Sequence, residues 1–134
     1  MELPKDDVLA LRAPEDIVAA RQFARAWAVK SGFSLVDQTK IVTATSELAR
    51  NALVHGGGGE MRIELLQRGP RRGLQLTFSD QGPGIRDIEM AMTDGYTSNG
   101  GMGLGLGGSK RLMNEFSIDS KPGAGTRVTV VRWT

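Results

Sequence analysis

The chain has no cysteine. Disulfides, zinc–thiolate centres and thiol catalysis are therefore excluded, and a reducing interior is permitted. Aromatic residues make up 5% of the sequence and no basic run is interleaved with them. With a formal charge of only +2, nucleic-acid binding has no support. No apolar run approaches the roughly 20 residues that span a bilayer, so no membrane role is expected. Met1-Glu2-Leu3-Pro4-Lys5-Asp6-Asp7 lacks the apolar stretch of a signal peptide. A cytoplasmic location is the expectation. The 134 residues fit one domain with a real core. No internal repeat or long linker divides them.

Glycine is abundant. There are 18, and most fall at 56–59, 82–84 and 100–108. Clustered glycine marks unusual torsions or close approach of backbone to something else. Between the clusters the pattern is regular. Asp7–Arg12 alternates as a strand. Ala13-Pro14-Glu15-Asp16 opens a helix, which carries Ile17, Ala20, Phe23, Ala24, Trp27 and Ala28 to about Lys30 and stops at Ser31-Gly32. After a short link over Phe33–Val36, Asp37 is the expected N-cap of a second helix. Glu60–Leu66 and Leu74–Ser79 alternate with period two around a basic loop, Arg68–Gly73, and predict a hairpin. The loop reads as a solvated turn or a partner contact. Arg86–Met92 predicts a short helix, Leu104–Met113 a longer one, Phe116–Ser120 a strand, Lys121–Gly125 a turn and Thr126–Trp133 the last strand. The expected class is α+β: a two-layer sandwich with a mixed, mostly antiparallel sheet and helices on one face.

The second helix, Asp37 to His55, holds the most informative pair. At about 100° per residue, Ile41, Ala44, Thr45, Leu48 and Ala52 form one apolar stripe, widened by Val42, Ala49 and Leu53. Glu47 and Asn51 stack one turn apart at its border. They read either as a polar pair on a helix rim or as a half-sheltered site. Gly56-Gly57-Gly58-Gly59 ends the helix. The sole histidine, His55, sits where it can satisfy terminal carbonyls.

Two further stretches can carry chemistry. Asp80-Gln81-Gly82-Pro83-Gly84 follows a strand. It reads as an Asp-Gly turn or as a carboxylate projecting into a cleft whose glycines admit a ligand. Gly100–Gly108 leads into a helix, and free amides at a helix start bind anions, phosphate above all. Gly103, Gly105 and Gly108 satisfy G-x-G-x-x-G, but no strand precedes them and no βαβ unit follows. A Walker A loop is absent. His55-Gly56-Gly57-Gly58 has no G-x-S-x-G partner, so an esterase is excluded.

The order Glu47…Asn51 on a helix, Asp80-x-Gly82-x-Gly84 after a strand, and Gly101–Gly108 before a helix resembles the GHKL ATPase and kinase superfamily. Its members share the Bergerat ATP-binding fold. Asp16–Gln22, Ser46–Asn51, Asp80–Ile85 and Lys110–Phe116 are similar to the RsbT-type serine/threonine switch kinases of stressosome partner-switching systems, relatives of anti-sigma factor kinases. The resemblance implies that residues 1–134 form one ATP- and Mg²⁺-dependent kinase domain. Glu47 would be the base, or orienting acceptor, for the incoming hydroxyl, and Asn51 a Mg²⁺ ligand. Asp80 would accept from the adenine amino group, with Gly82, Gly84 and Ile85 against the base. Thr97 and Ser98 would lie in an ATP lid. Gly101, Met102, Gly103, Leu104, Gly105, Leu106, Gly107 and Lys110 would lie about the phosphates. One departure stands out. Related anti-sigma kinases carry a lid arginine, whereas Thr97-Ser98-Asn99-Gly100-Gly101 holds no cation.

On this resemblance the substrate is a Ser or Thr of a STAS-domain antagonist, and a phosphatase or sigma factor is the second partner. The alternative is an anti-sigma factor or regulatory module that works by ATP-dependent sequestration. The finer motifs favour the stressosome branch. A histidine-kinase catalytic domain is disfavoured, since no helical hairpin carries a phosphoacceptor histidine.

Overall fold

The computed structural model describes residues 5–85, 88, 92 and 105–134. Five strands form one sheet in the order β1-β2-β3-β5-β4. They are β1 (Asp6–Leu11), β2 (Gly59–Arg68), β3 (Arg71–Asp80), β4 (Glu115–Ser120) and β5 (Thr126–Trp133). Every pairing among the described residues is antiparallel. Among the described residues three helices join them: α1 (Glu15–Lys30), α2 (Leu35–Val54) and α3 (Gly105–Leu112). The short helix expected over 86–92 lies largely outside the described residues. Within it, the Met92 amide donates to the Ile88 carbonyl at 2.9 Å. No helix among the described residues is long and apolar enough to cross a membrane.

Alternation in the strands creates the two-layer arrangement. Met61 and Ile63 of β2, Leu74, Leu76 and Phe78 of β3, and Val128 and Val130 of β5 are buried on one face. The helices supply the other half of that core. α1 buries Ala20, Ala24, Trp27 and Ala28, and α2 buries Ile41, Ala44, Thr45, Leu48, Ala49 and Ala52. Both sets recur at three and four, as a core-facing stripe must. α2 is the central helix, packed against α1 on one side and α3 on the other. Each fully buried leucine or isoleucine in this layer contributes about 2 kcal/mol of transfer free energy.

Two expectations change. α2 begins at Leu35, two residues before Asp37, and its N-cap is Ser34, whose Oγ accepts the Asp37 amide at 3.2 Å. Asp37 instead pairs with Arg132 of β5 at 2.8 Å. A single sequence cannot rank two capping residues three apart when one has a tertiary partner. The hairpin loop also shrinks from the expected Arg68–Gly73 to Gly69-Pro70, because Arg68 and Arg71 still pair. Gly69 takes φ +59° and proline fixes its own φ near −65°. Those signs match a II′ turn, whose twist suits a two-residue hairpin. The basic loop folds back on the helix-free face. The Arg68 and Arg71 guanidinium carbons stand 4.8 and 5.5 Å from the Trp133 ring centroid. The Trp133 indole in turn donates to Glu115 at 2.6 Å.

α1 is closed at its start by Asp16. Its carboxylate accepts the Arg12 and Ala13 amides at 2.8 and 3.0 Å, while its own amide donates to the Ala13 carbonyl at 2.9 Å. The Arg12 amide, then the Ala13 amide, holds the Asp16 carboxyl below its ordinary pKa. With the folded pKa depressed, this contribution is present above the unfolded value of about 4. It is lost as pH falls through the lower folded value. Asp16→Asn should therefore flatten the acid limb of stability against pH, read by thermal melts from roughly pH 2 to 6. Ser34→Ala should cost about 1 kcal/mol through the lost cap, read by urea denaturation at neutral pH.

Candidate functional site

Asp80 is the last residue of β3. Its ladder partners are Gly59 on one side and Thr126 on the other, and Thr126 in turn faces Ser120 of β4. Directly opposed residues share a face. Asp80 lies two residues beyond Phe78 and Thr126 two before Val128, so the row points toward the helices. Glycine at position 59 leaves the row open beside Asp80.

The end of α2 comes down on this row. Gly56 follows the helix, and a Cβ there would stand 2.2 Å from Asp80 Cγ and 2.6 Å from the Ala52 carbonyl oxygen. Only the missing side chain lets helix end and carboxylate meet. Gly82 completes the contact, since its own Cβ would lie 2.5 Å from Gly56 Cα. The Gly82 amide donates to Asp80 Oδ1 at 2.9 Å, which fixes the carboxylate and leaves its other oxygen to accept.

Asn51 lies one turn before this contact. Its carbonyl accepts both the His55 and Gly56 amides, at 3.0 and 3.2 Å. Glu47 lies one turn earlier, and both side chains are half-buried. No hydrogen bond within the described residues is recorded for either side chain. The expected pair is thus set on the border of the buried stripe, on the helix whose end meets Asp80 at Gly56. The C-terminal end of a helix carries partial negative charge, which favours a cation near Asn51.

The loop after Asp80 is held from the far side of the sheet. The Ile85 amide donates to Ser120 Oγ at 2.8 Å. The Gly123 amide donates to the Pro83 carbonyl at 2.7 Å. A Cβ on Gly84 would lie 2.0 Å from the Lys121 carbonyl oxygen. The turn between β4 and β5 therefore braces residues 82–85.

Gly105, Leu106 and Gly107 open α3 and are buried. The Leu106 side chain belongs to the apolar core, so its backbone alone can face a ligand. Lys110 is exposed. With Met92, Gly107, Arg111, Met113 and Phe116 it lines a cavity of about 510 Å³ that includes none of Glu47, Asn51 and Asp80. Thr97, Ser98, Gly101, Met102, Gly103 and Leu104 lie outside the described residues, as does the segment without a lid arginine. Sequence reasoning missed Gly56, Ser120 and Thr126. Ser120-Lys121-Pro122-Gly123-Ala124-Gly125-Thr126 reads as a plain turn, and its flanking hydroxyls were the available signal.

The arrangement offers a fixed carboxylate among glycines for a polar ring edge, and an amide and a second carboxylate one turn apart for a cation and a hydroxyl. Comparison with known proteins places the chain in a family. The family model for the histidine kinase-like ATPase domain matches residues 11–132. The serine/threonine-protein kinase RsbT of Bacillus subtilis is 49% identical over 118 residues, covering 88% of this chain and 89% of that one. An anti-sigma F factor of Clostridium kluyveri is 34% identical over 101 residues, covering 71% and 70%. A solved structure of the RsbU and RsbW domains of a Mycobacterium tuberculosis protein superposes with a TM-score of 0.69 at 22% identity. It covers 97% of this chain, which spans 32% of that longer one, and the likeness supports the fold alone.

Gly56→Ala is the sharpest probe of the site. It should weaken nucleotide binding by about ten-fold or more, since a group overlapping Asp80 must displace it. Titration calorimetry reads the affinity, and far-UV circular dichroism should stay unchanged.

Proposed function

Because the chain belongs to the histidine kinase-like ATPase domain family, we propose that it is a serine/threonine-protein kinase of a partner-switching system, with residues 1–134 acting as one domain. The kinase activity rests on the similarity to RsbT over most of both chains. The observation that carries the site is the contact at Gly56. It brings the end of the helix that carries Glu47 and Asn51 against Asp80.

The residues present fit ATP and Mg²⁺. Asp80 is an acceptor for the adenine amino group, and the packing of Gly82 on Gly56 and of Gly84 on Lys121 holds the loop against which a flat base would lie. The Asn51 side-chain oxygen is a hard donor of the kind Mg²⁺ prefers. Among the described residues no cluster of three or more acidic or histidine side chains could hold a metal. A divalent ion at Asn51 would thus depend on phosphate oxygens and water for its remaining ligands. When bound, Mg²⁺·ATP supplies the phosphoryl group and neutralises its charge. The chain's own contribution is positioning. Asn51 would hold the metal end, and the amides of Gly105 and Gly107 would serve the phosphates. Glu47, one helical turn from Asn51, would accept the proton of the attacking Ser or Thr hydroxyl. That hydroxyl would belong to a STAS-domain antagonist, and phosphorylation would free the kinase for a second partner such as a phosphatase.

A second reading has its own support. The similarity to an anti-sigma F factor favours a module that holds a sigma factor in an exclusive complex and uses nucleotide to set its shape.

Transfer of radiolabelled phosphate from ATP to the native partner separates the two. Wild type should transfer, whereas Glu47→Gln and Asn51→Ala should each lower the rate by about a hundred-fold or more with the fold intact. Normal transfer by either variant would overturn the assigned roles. A stable complex with no transfer by wild type would favour sequestration.

A further inference from the structure

We propose that Ser120 determines which purine the site accepts, by fixing the direction of the Thr126 hydroxyl. This rests on the reading that the Asp80 end of the sheet receives a nucleotide base, and it assigns a specificity device to that site. Ser120 itself is a positioning residue: it acts through Thr126.

The argument is a count of protons. Ser120 Oγ has three neighbours. The Ile85 amide lies at 2.8 Å, the Gly125 carbonyl oxygen at 3.1 Å and Thr126 Oγ1 at 2.8 Å. A hydroxyl owns one proton and two lone pairs. The amide takes one lone pair of Ser120. The carbonyl has no proton, so the Ser120 proton goes there. The contact with Thr126 is then a hydrogen bond only if Thr126 donates. The reverse assignment would leave the Ser120 and Gly125 oxygens as two facing acceptors at 3.1 Å.

With its proton committed to Ser120, Thr126 shows only lone pairs to its other surroundings. Its ladder partner is Asp80, whose Oδ1 already accepts the Gly82 amide and whose remaining oxygen also only accepts. The Thr126–Asp80 pair therefore offers the base only acceptors. Adenine places an amino group, with two protons, at position 6. Hypoxanthine and guanine place a carbonyl oxygen there. An acceptor rim matches the first and repels the second, and a site built to bond a donor rejects an analogue lacking it strongly. Without Ser120 the Thr126 hydroxyl is free to turn and to donate to that oxygen.

The test compares ADP and IDP by titration calorimetry with the full chain; the two differ at position 6, the group that faces the Thr126–Asp80 rim on this reading, and in the proton that hypoxanthine carries on N1. Wild type should prefer ADP by about ten-fold or more. Ser120→Ala should cut the preference about five-fold or more, chiefly by improving IDP relative to ADP. Ser120→Thr, which keeps a hydroxyl, should retain it. An unchanged ratio in folded Ser120→Ala, or equal weakening of both nucleotides, would overturn the proposal and leave Ser120 as a loop brace. If Ser120→Ala does not fold, Thr126→Ser and Thr126→Val decide the matter. The first should keep the preference and the second lose it, and equal ratios in both would overturn the proposal. Failure of wild type to bind either nucleotide would instead remove the underlying reading of the site, and this inference with it.

Discussion

The constraint on which the molecule depends is the contact between the end of α2 and the end of β3. It exists because position 56 has no side chain. A Cβ there would sit 2.2 Å from Asp80 Cγ, well inside any tolerable separation. The apolar stripe of α2 fixes the helix on the sheet, and its length then delivers residue 56 to the end of the sheet. Core packing and site geometry are thus one problem. A shift of the helix by one residue would separate Gly56 from Asp80 and also expose Leu48 and Ala52. The large cost of disturbing a dense core holds the functional edge in register without any bond between the functional side chains.

The two ends of the sheet do different work. At the Asp80 end the polar groups are held by backbone and hydroxyl bonds, and Asp80 keeps one oxygen open. At the opposite end they are closed on one another. Asp37 holds Arg132, which also donates to the Leu112 carbonyl at 3.1 Å. There the C-terminus of β5 is tied to the start of α2 and the end of α3. This ion pair has side chains 15% and 24% exposed, so water screens it less than a surface pair. It anchors the end of α2 remote from the site. The working end is left to glycine contacts, which place polar groups without satisfying them.

The similarity to kinases and anti-sigma factors acquires a physical meaning in this frame. A regulatory kinase has to bind nucleotide on a rigid platform and read out its state elsewhere. The platform is α2, the sheet end and the turn braced by Ser120. Asp80 is held from both sides, by Gly82 and by the packing of Gly56. Positioning of this kind is most of what phosphoryl transfer asks of a protein.

The sequence by itself determined most of the described elements and the class, and it nominated the candidate site residues. Strand alternation and the three-and-four recurrence of apolar residues are local properties, so β1, α1, β5 and the buried stripe of α2 were all legible. The pairing of Glu47 with Asn51 follows from helical geometry alone. The glycine clusters announced close approaches without saying to what. Tertiary structure decided the rest. It replaced Asp37 by Ser34 at the cap, because Asp37 has a partner in β5. It reduced the basic loop to two residues, because Arg68 and Arg71 pair and then cover Trp133. It placed Lys110 beside Gly107 on the wall of a cavity. It also brought Gly56, Thr126 and Ser120 to Asp80 from three distant stretches. Their roles depend on ladder register and on distances between backbones, and neither is written in any local pattern of residues.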